Sequence, residues 1–186
     1  MWCANEIVAR NIRYLSIGNR DLTENRANRR VGCSERGNLN DYVPFYFCTQ
    51  SVMLYLIHKK HSSTYGGGQE PILHFESTVS EFMQRRLPFF FTDRHAYTQY
   101  ARQFDDIRHL SEVDWATVNA QYWNKTPDDP DRQERKMAEC LVHRFVPIDC
   151  VTRIGVYNER YKDEASELLA EFGIRTPVRV RTGWYY

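Results

Sequence analysis

One acidic residue, Glu139, stands at the junction between a charged segment, residues 128–136, and an apolar run, residues 140–146. A carboxylate can stabilise positive charge that develops during a reaction. The spacing alone fits an ordinary strand edge better, so function depends on which other groups the fold brings beside Glu139.

Cations that can meet a phosphate are concentrated near the start of the chain. Seven arginines and four acidic residues lie within the first 36 residues. A guanidinium can hold a phosphate through two parallel hydrogen bonds, so the arginines are consistent with a phosphate site. A solvated helix face is the plainer explanation for most of them.

Three further patterns are weaker signals for chemistry. The triglycine at residues 66–68 matches neither phosphate-loop spacing and is typical of a turn. His58 and His61 have no third ligand at a recognised metal spacing, so we predict no metal site. Cys140 lies near His143, but nothing in the sequence indicates that its thiol pKa is lowered, as a nucleophile requires.

Composition limits the classes of protein that fit. The chain has 186 residues, of which 42% are hydrophobic, and this suits one domain over residues 1–186 with its own core. Its formal net charge is +1, so any nucleic-acid site must be local. The five cysteines include no CxxC pair, which indicates a reducing compartment. We find no membrane-spanning or signal segment and expect a cytoplasmic protein without membrane contact.

The periodicity of apolar residues places several elements around these candidates. It predicts a helix with a buried apolar face over residues 161–172, with Gly173 just beyond its end. Strands are predicted over residues 43–47, 72–75 and 178–181. Strands and helices do not alternate regularly, which favours an α+β fold over a doubly wound sheet.

A second helix is predicted to begin at Ser111, which can cap it together with Asp114. Its apolar stripe would consist of Trp115, Val118 and Tyr122.

Four segments taken together carry a family resemblance: residues 41–48, 67–74, 91–95 and 135–139, followed by the terminal Trp-Tyr-Tyr. In this order and spacing they resemble the DarT-type ADP-ribosyltransferases, toxins that use NAD to modify single-stranded DNA. The resemblance runs from about residue 2 to residue 186. It implies an ADP-ribosyltransferase-like fold with a central split, mostly antiparallel sheet flanked by helices.

The resemblance also implies roles for particular residues. Glu139 falls on the catalytic glutamate, and Arg26 aligns with a functional arginine of the NAD-binding element. We expect Arg26 to bind NAD and to stabilise the anionic acceptor base, because an arginine has no lone pair with which to take a proton. The remaining positions expected to contact NAD are Ala4, Asn5, Tyr46 and Met53. For Tyr46 and Met53, core packing is an equally good explanation from the sequence alone.

The expected contacts with DNA lie on the stretch before Glu139. Aromatic faces and cations together suit single-stranded nucleic acid, which needs stacking and phosphate contacts. A surface or capping role remains the plainer explanation for the histidine of this set. The set consists of His95, Tyr122, Trp123, Arg132 and Arg135. One departure from the family's usual pattern is Gln50, where relatives usually have arginine, so a phosphate contact there is expected to be weaker.

The resemblance implies transfer of ADP-ribose from NAD, as co-substrate, to a base in single-stranded DNA, with release of nicotinamide. Thymidine is the leading candidate for the modified nucleoside. It further implies a toxin–antitoxin system with a macrodomain antitoxin. A guanine-directed relative and an inactive DNA-binding remnant stay open as alternatives. Family members begin roughly two dozen residues earlier than this sequence, with a His-containing NAD motif, so we expect the 186 residues alone to bind NAD poorly.

Overall fold

A four-stranded antiparallel sheet holds the centre of the larger core. In the computed structural model, which describes residues 1–33, 36–62 and 65–186, its strand order is β1-β5-β3-β4. The strands are β1 (Tyr42–Tyr46), β5 (Glu139–His143), β3 (Phe89–Thr92) and β4 (Gln103–Phe104). The central strand β5 is covered on both faces: Cys140 and Val142 enter one hydrophobic cluster, and Leu141 enters another.

A second sheet has three strands in the order β2-β6-β7. They are β2 (His74–Glu76), β6 (Arg153–Val156) and β7 (Val178–Val180). The β2–β6 pair is antiparallel and the β6–β7 pair is parallel, joined by helix α7 (Glu159–Glu171). Two separate, mostly antiparallel sheets with flanking helices confirm the predicted α+β class and split sheet.

Short helices surround the sheets. The first six are α1 (Ala4–Ala9), α2 (Arg20–Ala27), α3 (Val52–His58), α4 (Val79–Gln84), α5 (Trp115–Val118) and α6 (Arg132–Lys136). Single 3₁₀ segments cover Leu39–Asp41, Ile107–Glu112, Ile148–Cys150 and Thr182–Trp184. Across residues 1–33, 36–62 and 65–186, no helix has both the length and the apolar character needed to cross a bilayer.

The three predicted strands and the helix after residue 158 are confirmed within one or two residues. Gly173 follows α7 with a φ of +66°, a left-handed conformation that glycine adopts without strain. The expected apolar face is confirmed in part: Ala165 is buried, and Tyr161 and Leu169 are partly buried against the same core cluster. Leu168 and Phe172, by contrast, are exposed.

The prediction of a helix that begins at Ser111 and stops before Thr126 was wrong in its start and its length. Ser111 lies inside a 3₁₀ segment, and helix α5 begins only after Asp114. The Asp114 carboxylate accepts hydrogen bonds from both the N–H and the hydroxyl of Thr117, which fixes the start of the helix there. The helix ends at Val118, and the ammonium of Lys136 donates to the carbonyls of Val118 and Ala120.

Candidate active site

Glu139 is the first residue of β5 and lies opposite Tyr46, the last residue of β1. Its side chain is only 1% exposed. The Glu139 N–H donates to the hydroxyl of Thr92 at 3.3 Å, and that hydroxyl donates to the carbonyl of Arg94 at 2.6 Å. The backbone at Glu139 is therefore fixed by β1 on one side and by the end of β3 on the other.

The carboxylate of Glu139 is held by two partners. Its Oε1 accepts a hydrogen bond from the Ala96 N–H at 2.9 Å, and Nη1 of Arg26 lies 3.2 Å from Oε1 and 3.3 Å from Oε2. A cation and a backbone donor compensate a buried carboxylate for its lost hydration. The group is thus an oriented carboxylate at the start of a strand.

Arg26 reaches Glu139 from the last turn of α2. Its side chain is 11% exposed. Helix α2 is itself anchored, because the side chain of Asn40 donates to the carbonyl of Thr23 at 2.9 Å. The second terminal nitrogen of Arg26, Nη2, is buried and has no partner in the described part of the chain. One pair of N–H donors beside Glu139 is therefore available to a ligand.

His95 completes the group around Glu139. Its backbone N–H donates to the Glu134 carbonyl at 2.9 Å, and it lies next to the amide that binds Glu139. Burial lowers the pKa of His95, and the charge of Glu139 opposes this shift while that of Arg26 adds to it. The imidazole is therefore neutral at pH 7, and its Nε2 is buried without a partner among the described residues.

Tyr46 stands across the strand pair from Glu139. Burial raises the pKa of its phenol, and the charge of Glu139 raises it further, so the hydroxyl stays protonated and can donate. Met53 is half-buried on the first turn of α3, a few residues beyond the same end of β1.

The structure does not bring Ala4 and Asn5 to this group. They open helix α1, and the Asn5 side chain donates to the carboxylate of Asp41 at 2.7 Å. Asp41 precedes β1, whereas Glu139 pairs with the last residue of that strand. The two residues therefore lie at the opposite end of β1 from the Arg26–Glu139 pair.

The two aromatic candidates for DNA contact differ sharply in exposure. The Tyr122 side chain is 77% exposed. Trp123 is buried, packs its ring edge-on against Tyr55 and donates from Nε1 to the Tyr186 hydroxyl at 3.2 Å. Of the pair, Tyr122 alone has a ring face open to solvent for stacking.

The two arginine candidates also differ. The guanidinium of Arg135 contacts Asp114, Asp129 and Asp131, at 3.0 Å for the first and 2.8 Å for the second. Burial lowers the pKa of Arg135, but these carboxylates outweigh that effect and raise it. Arg135 is thus occupied with fixing the loop before Glu139, whereas Nε of Arg132 is buried with no partner among the described residues.

The sequence did not point to Lys136, because this residue lies in a charged segment that is typical of a solvated surface. Its ammonium is buried and donates to the carbonyls of Val118 and Ala120 at 2.7 and 2.9 Å. Burial lowers the pKa of Lys136. Lys136 thereby connects the loop after α5 to the segment that leads into Glu139. The apolar residues that follow Lys136 were the one feature of the sequence that could have indicated its burial.

The remaining candidates offer no competing chemistry. Burial raises the pKa of the Cys140 thiol to about 12, so it is not a nucleophile at neutral pH. No cluster of three or more His, Cys, Asp or Glu side chains suited to a metal ion occurs within the described ranges.

Comparison with known proteins identifies the family of this chain. The family described as "ssDNA thymidine ADP-ribosyltransferase, DarT" matches residues 1–186. The chain belongs to the DarT family. A DNA ADP-ribosyl transferase of Thermus aquaticus is 43% identical over 167 residues, which cover 89% of this chain and 72% of the relative.

Solved structures of DarT from Thermus sp. 2.9 have the same fold. The complex with ADP-ribosylated single-stranded DNA has a TM-score of 0.92 and 37% identity, covering 100% of this chain and 87% of that one. The complex with NAD+ has a TM-score of 0.86 and 36% identity, with the same coverage. Membership of the DarT family confirms the enzyme class predicted from the sequence, an NAD-dependent DNA ADP-ribosyltransferase, and its ADP-ribosyltransferase-like fold.

Proposed function

We propose that this chain transfers ADP-ribose from NAD to a thymidine base in single-stranded DNA and releases nicotinamide. The observation that carries the proposal is the buried Arg26–Glu139 pair, together with Nη2 of Arg26 and Nε2 of His95, which have no partners among the described residues. These groups suit a reaction in which a base attacks the ribose carbon of NAD as nicotinamide leaves. Related DarT structures hold NAD+ in one case and ADP-ribosylated single-stranded DNA in another.

On the donor side, the bond between the ribose carbon and the nicotinamide nitrogen breaks. The electron pair leaves with nicotinamide, which departs neutral and needs no general acid. Positive charge then builds on the ribose, and the Glu139 carboxylate stabilises it while accepting hydrogen bonds from the ribose hydroxyls. The Ala96 amide and Arg26 already orient this carboxylate, so little reorganisation is needed during the reaction.

On the acceptor side, the attacking ring nitrogen of thymine carries a proton at neutral pH. Arg26 cannot accept it, because a guanidinium is always protonated. Neutral His95 has a ring nitrogen with no partner within residues 1–33, 36–62 and 65–186, and we assign it the proton as the new bond between base nitrogen and ribose carbon forms. Nη2 of Arg26 then stabilises the negative charge that develops on the base.

We also propose the biological setting that the resemblance implies, in which the chain is the toxin of a toxin–antitoxin pair in the cytoplasm. Its partner would be a macrodomain antitoxin that removes ADP-ribose from DNA. All five cysteines are free, and three of them are buried, which fits a reducing compartment.

The test incubates the protein with NAD and with single-stranded oligonucleotides that differ only in the base at one central position, which is each of the four bases in turn. Mass spectrometry of the digested nucleosides identifies the modified base. We expect ADP-ribosyl thymidine from the wild type and at least about a hundredfold less from Glu139→Gln.

Glu164→Gln is the matched control, because Glu164 is an exposed residue of α7 paired with Arg160. It should label DNA at the wild-type rate. Labelling of guanosine alone would favour the guanine-directed alternative. A rate for Glu139→Gln within tenfold of the wild type would overturn the catalytic role of Glu139.

A further inference from the structure

A groove of about 390 Å³ opens beyond the end of β1, near the active site. Aromatic rings and side-chain amides line it, and neither lysine nor arginine is among the described residues of its wall. The lining residues are Gln50, Tyr55, Gln121, Tyr122, Trp123, Asn124, Tyr185 and Tyr186.

The back of the groove is already assembled. The Tyr186 hydroxyl donates to the carbonyl of Gln50 at 2.9 Å and accepts from Nε1 of Trp123 at 3.2 Å. Tyr55 packs edge-on against both aromatic rings, with centroid distances of 5.3 Å to Trp123 and 5.1 Å to Tyr186. Because these contacts already fix the side chains of the wall, they lose little conformational entropy when a ligand binds.

The front of the groove is open. Tyr122 is 77% exposed at the rim, with Gln121 before it and Asn124 two residues after it. An exposed tyrosine ring stacks on a nucleobase, and amides hydrogen-bond the edge of a base that is not paired in a duplex. This combination of groups suits one unstacked base.

The floor of the groove is connected to the catalytic strand pair. Gln50 follows Tyr46, the partner of Glu139, by four residues. The Cys48 thiol lies 3.7 Å from the carbonyl of Gln50 and 3.7 Å from that of Lys136, which leads into β5. A base in this groove is therefore held in a fixed relation to Glu139.

The charge of the groove distinguishes between two sources of such a base, the adenine of NAD and a base of a DNA strand. The adenine of NAD is tied to a pyrophosphate, which requires cations close by. A base on a DNA strand can turn its phosphate toward solvent. Arg26 pairs with Glu139, and Arg29 lines a different groove with Tyr97 and Tyr100. We infer that the groove at Tyr122 seats the nucleobase next to the modified one in single-stranded DNA and so sets the sequence context of the reaction.

This inference rests on the proposed function, and its test separates the two. Binding of fluorescent single-stranded oligonucleotides is measured without NAD in the Glu139→Gln background. Tyr122→Ala should weaken binding about tenfold, whereas Tyr122→Trp should retain it. Tyr100→Ala is the matched control, since Tyr100 is also 77% exposed but lies in the other groove, and it should stay within about twofold.

A second set of oligonucleotides carries an abasic site at each position flanking the target thymidine. When the abasic site is at the position whose base would occupy the groove, Tyr122→Ala should bind the oligonucleotide as well as the protein with Tyr122 does. In the active protein, Gln121→Ala and Asn124→Ala should change which base is preferred at that position.

Equal losses from Tyr122→Ala at every abasic position would overturn the inference while leaving DNA modification by the wild type intact. A drop in NAD affinity of Tyr122→Ala, measured by calorimetry without DNA, would assign the groove to adenine instead. Absence of any DNA labelling by wild-type protein that calorimetry shows to bind NAD would overturn the proposed function itself.

Discussion

Nη1 of Arg26 lies 3.2 and 3.3 Å from the two carboxylate oxygens of Glu139, although 113 residues separate them in sequence. Neither group is well hydrated, so each compensates for the hydration that the other has lost in the interior. The pair leaves one terminal nitrogen of Arg26 unpartnered among the described residues. Structural support and substrate binding are thus combined in one side chain.

Arg26→Lys should lose at least about a hundredfold in activity, because an ammonium keeps the charge but cannot hold Glu139 and donate to a ligand through separate nitrogens. Steady-state labelling of an oligonucleotide measures the loss. Arg20→Lys is the control, since Arg20 is an exposed residue of the same helix paired with Glu24. Near-wild-type turnover of Arg26→Lys would contradict the role given to the guanidinium.

The proton-accepting role of His95 predicts a particular pH profile. Burial lowers the pKa of His95, and the charged groups acting on it are Glu139, Arg26 and Glu134. The imidazole therefore stays neutral as pH falls to about 6.5, and activity should decline only below this ordinary value.

His95→Asn should reduce kcat/KM by a factor of about 10² to 10⁴ and remove that acid limb. Measurement of kcat/KM between pH 5 and 8 for both proteins tests the assignment. An unchanged acid limb in the variant would show that another group carries it.

His74 should limit stability in acid. It packs edge-on against Trp184 and Tyr185, its Nε2 has no partner in the described ranges, and burial lowers its pKa to about 4. The unfolded chain then binds a proton below about pH 6.5 while the folded protein does not. The free energy of unfolding should therefore decrease as pH falls from about 6.5 to 4.

For His74 alone, the loss at pH 5 is about 2 kcal/mol. His74→Phe should be less sensitive to pH over this range. Denaturant unfolding at pH 7 and pH 5 measures the difference, with His61→Phe at an exposed position as the control. Parallel losses in His74→Phe and the wild type would exclude His74 as the source.

Lys136→Met should destabilise the protein by about 2 kcal/mol, because the carbonyls of Val118 and Ala120 would lose their buried donor. For a domain of this size, the expected fall in Tm is about 4 to 8 °C. Lys125→Met is the control, since that side chain is 49% exposed and forms a surface pair with Glu134. Equal Tm values for the two variants would contradict the structural role of Lys136.

Local pattern was sufficient to predict much of the fold. The helix over residues 161–172 and the three strands follow from the spacing of apolar residues, which depends only on near neighbours. The position of Glu139 at the start of a strand follows in the same way. The helix predicted to begin at Ser111 begins only after Asp114 and ends at Val118, where the distant Lys136 donates to two carbonyls.

The sequence by itself determined the class of fold, the ordered motifs of the family and Glu139 as the candidate acid. Only the tertiary structure decided that Arg26 pairs with Glu139, that Arg135 is held by three carboxylates and that Trp123 is buried while Tyr122 is exposed. The physical reason is that burial and charge pairing depend on segments far apart in the chain. Such contacts form only when the sheets and loops have packed together, and no local spacing encodes them.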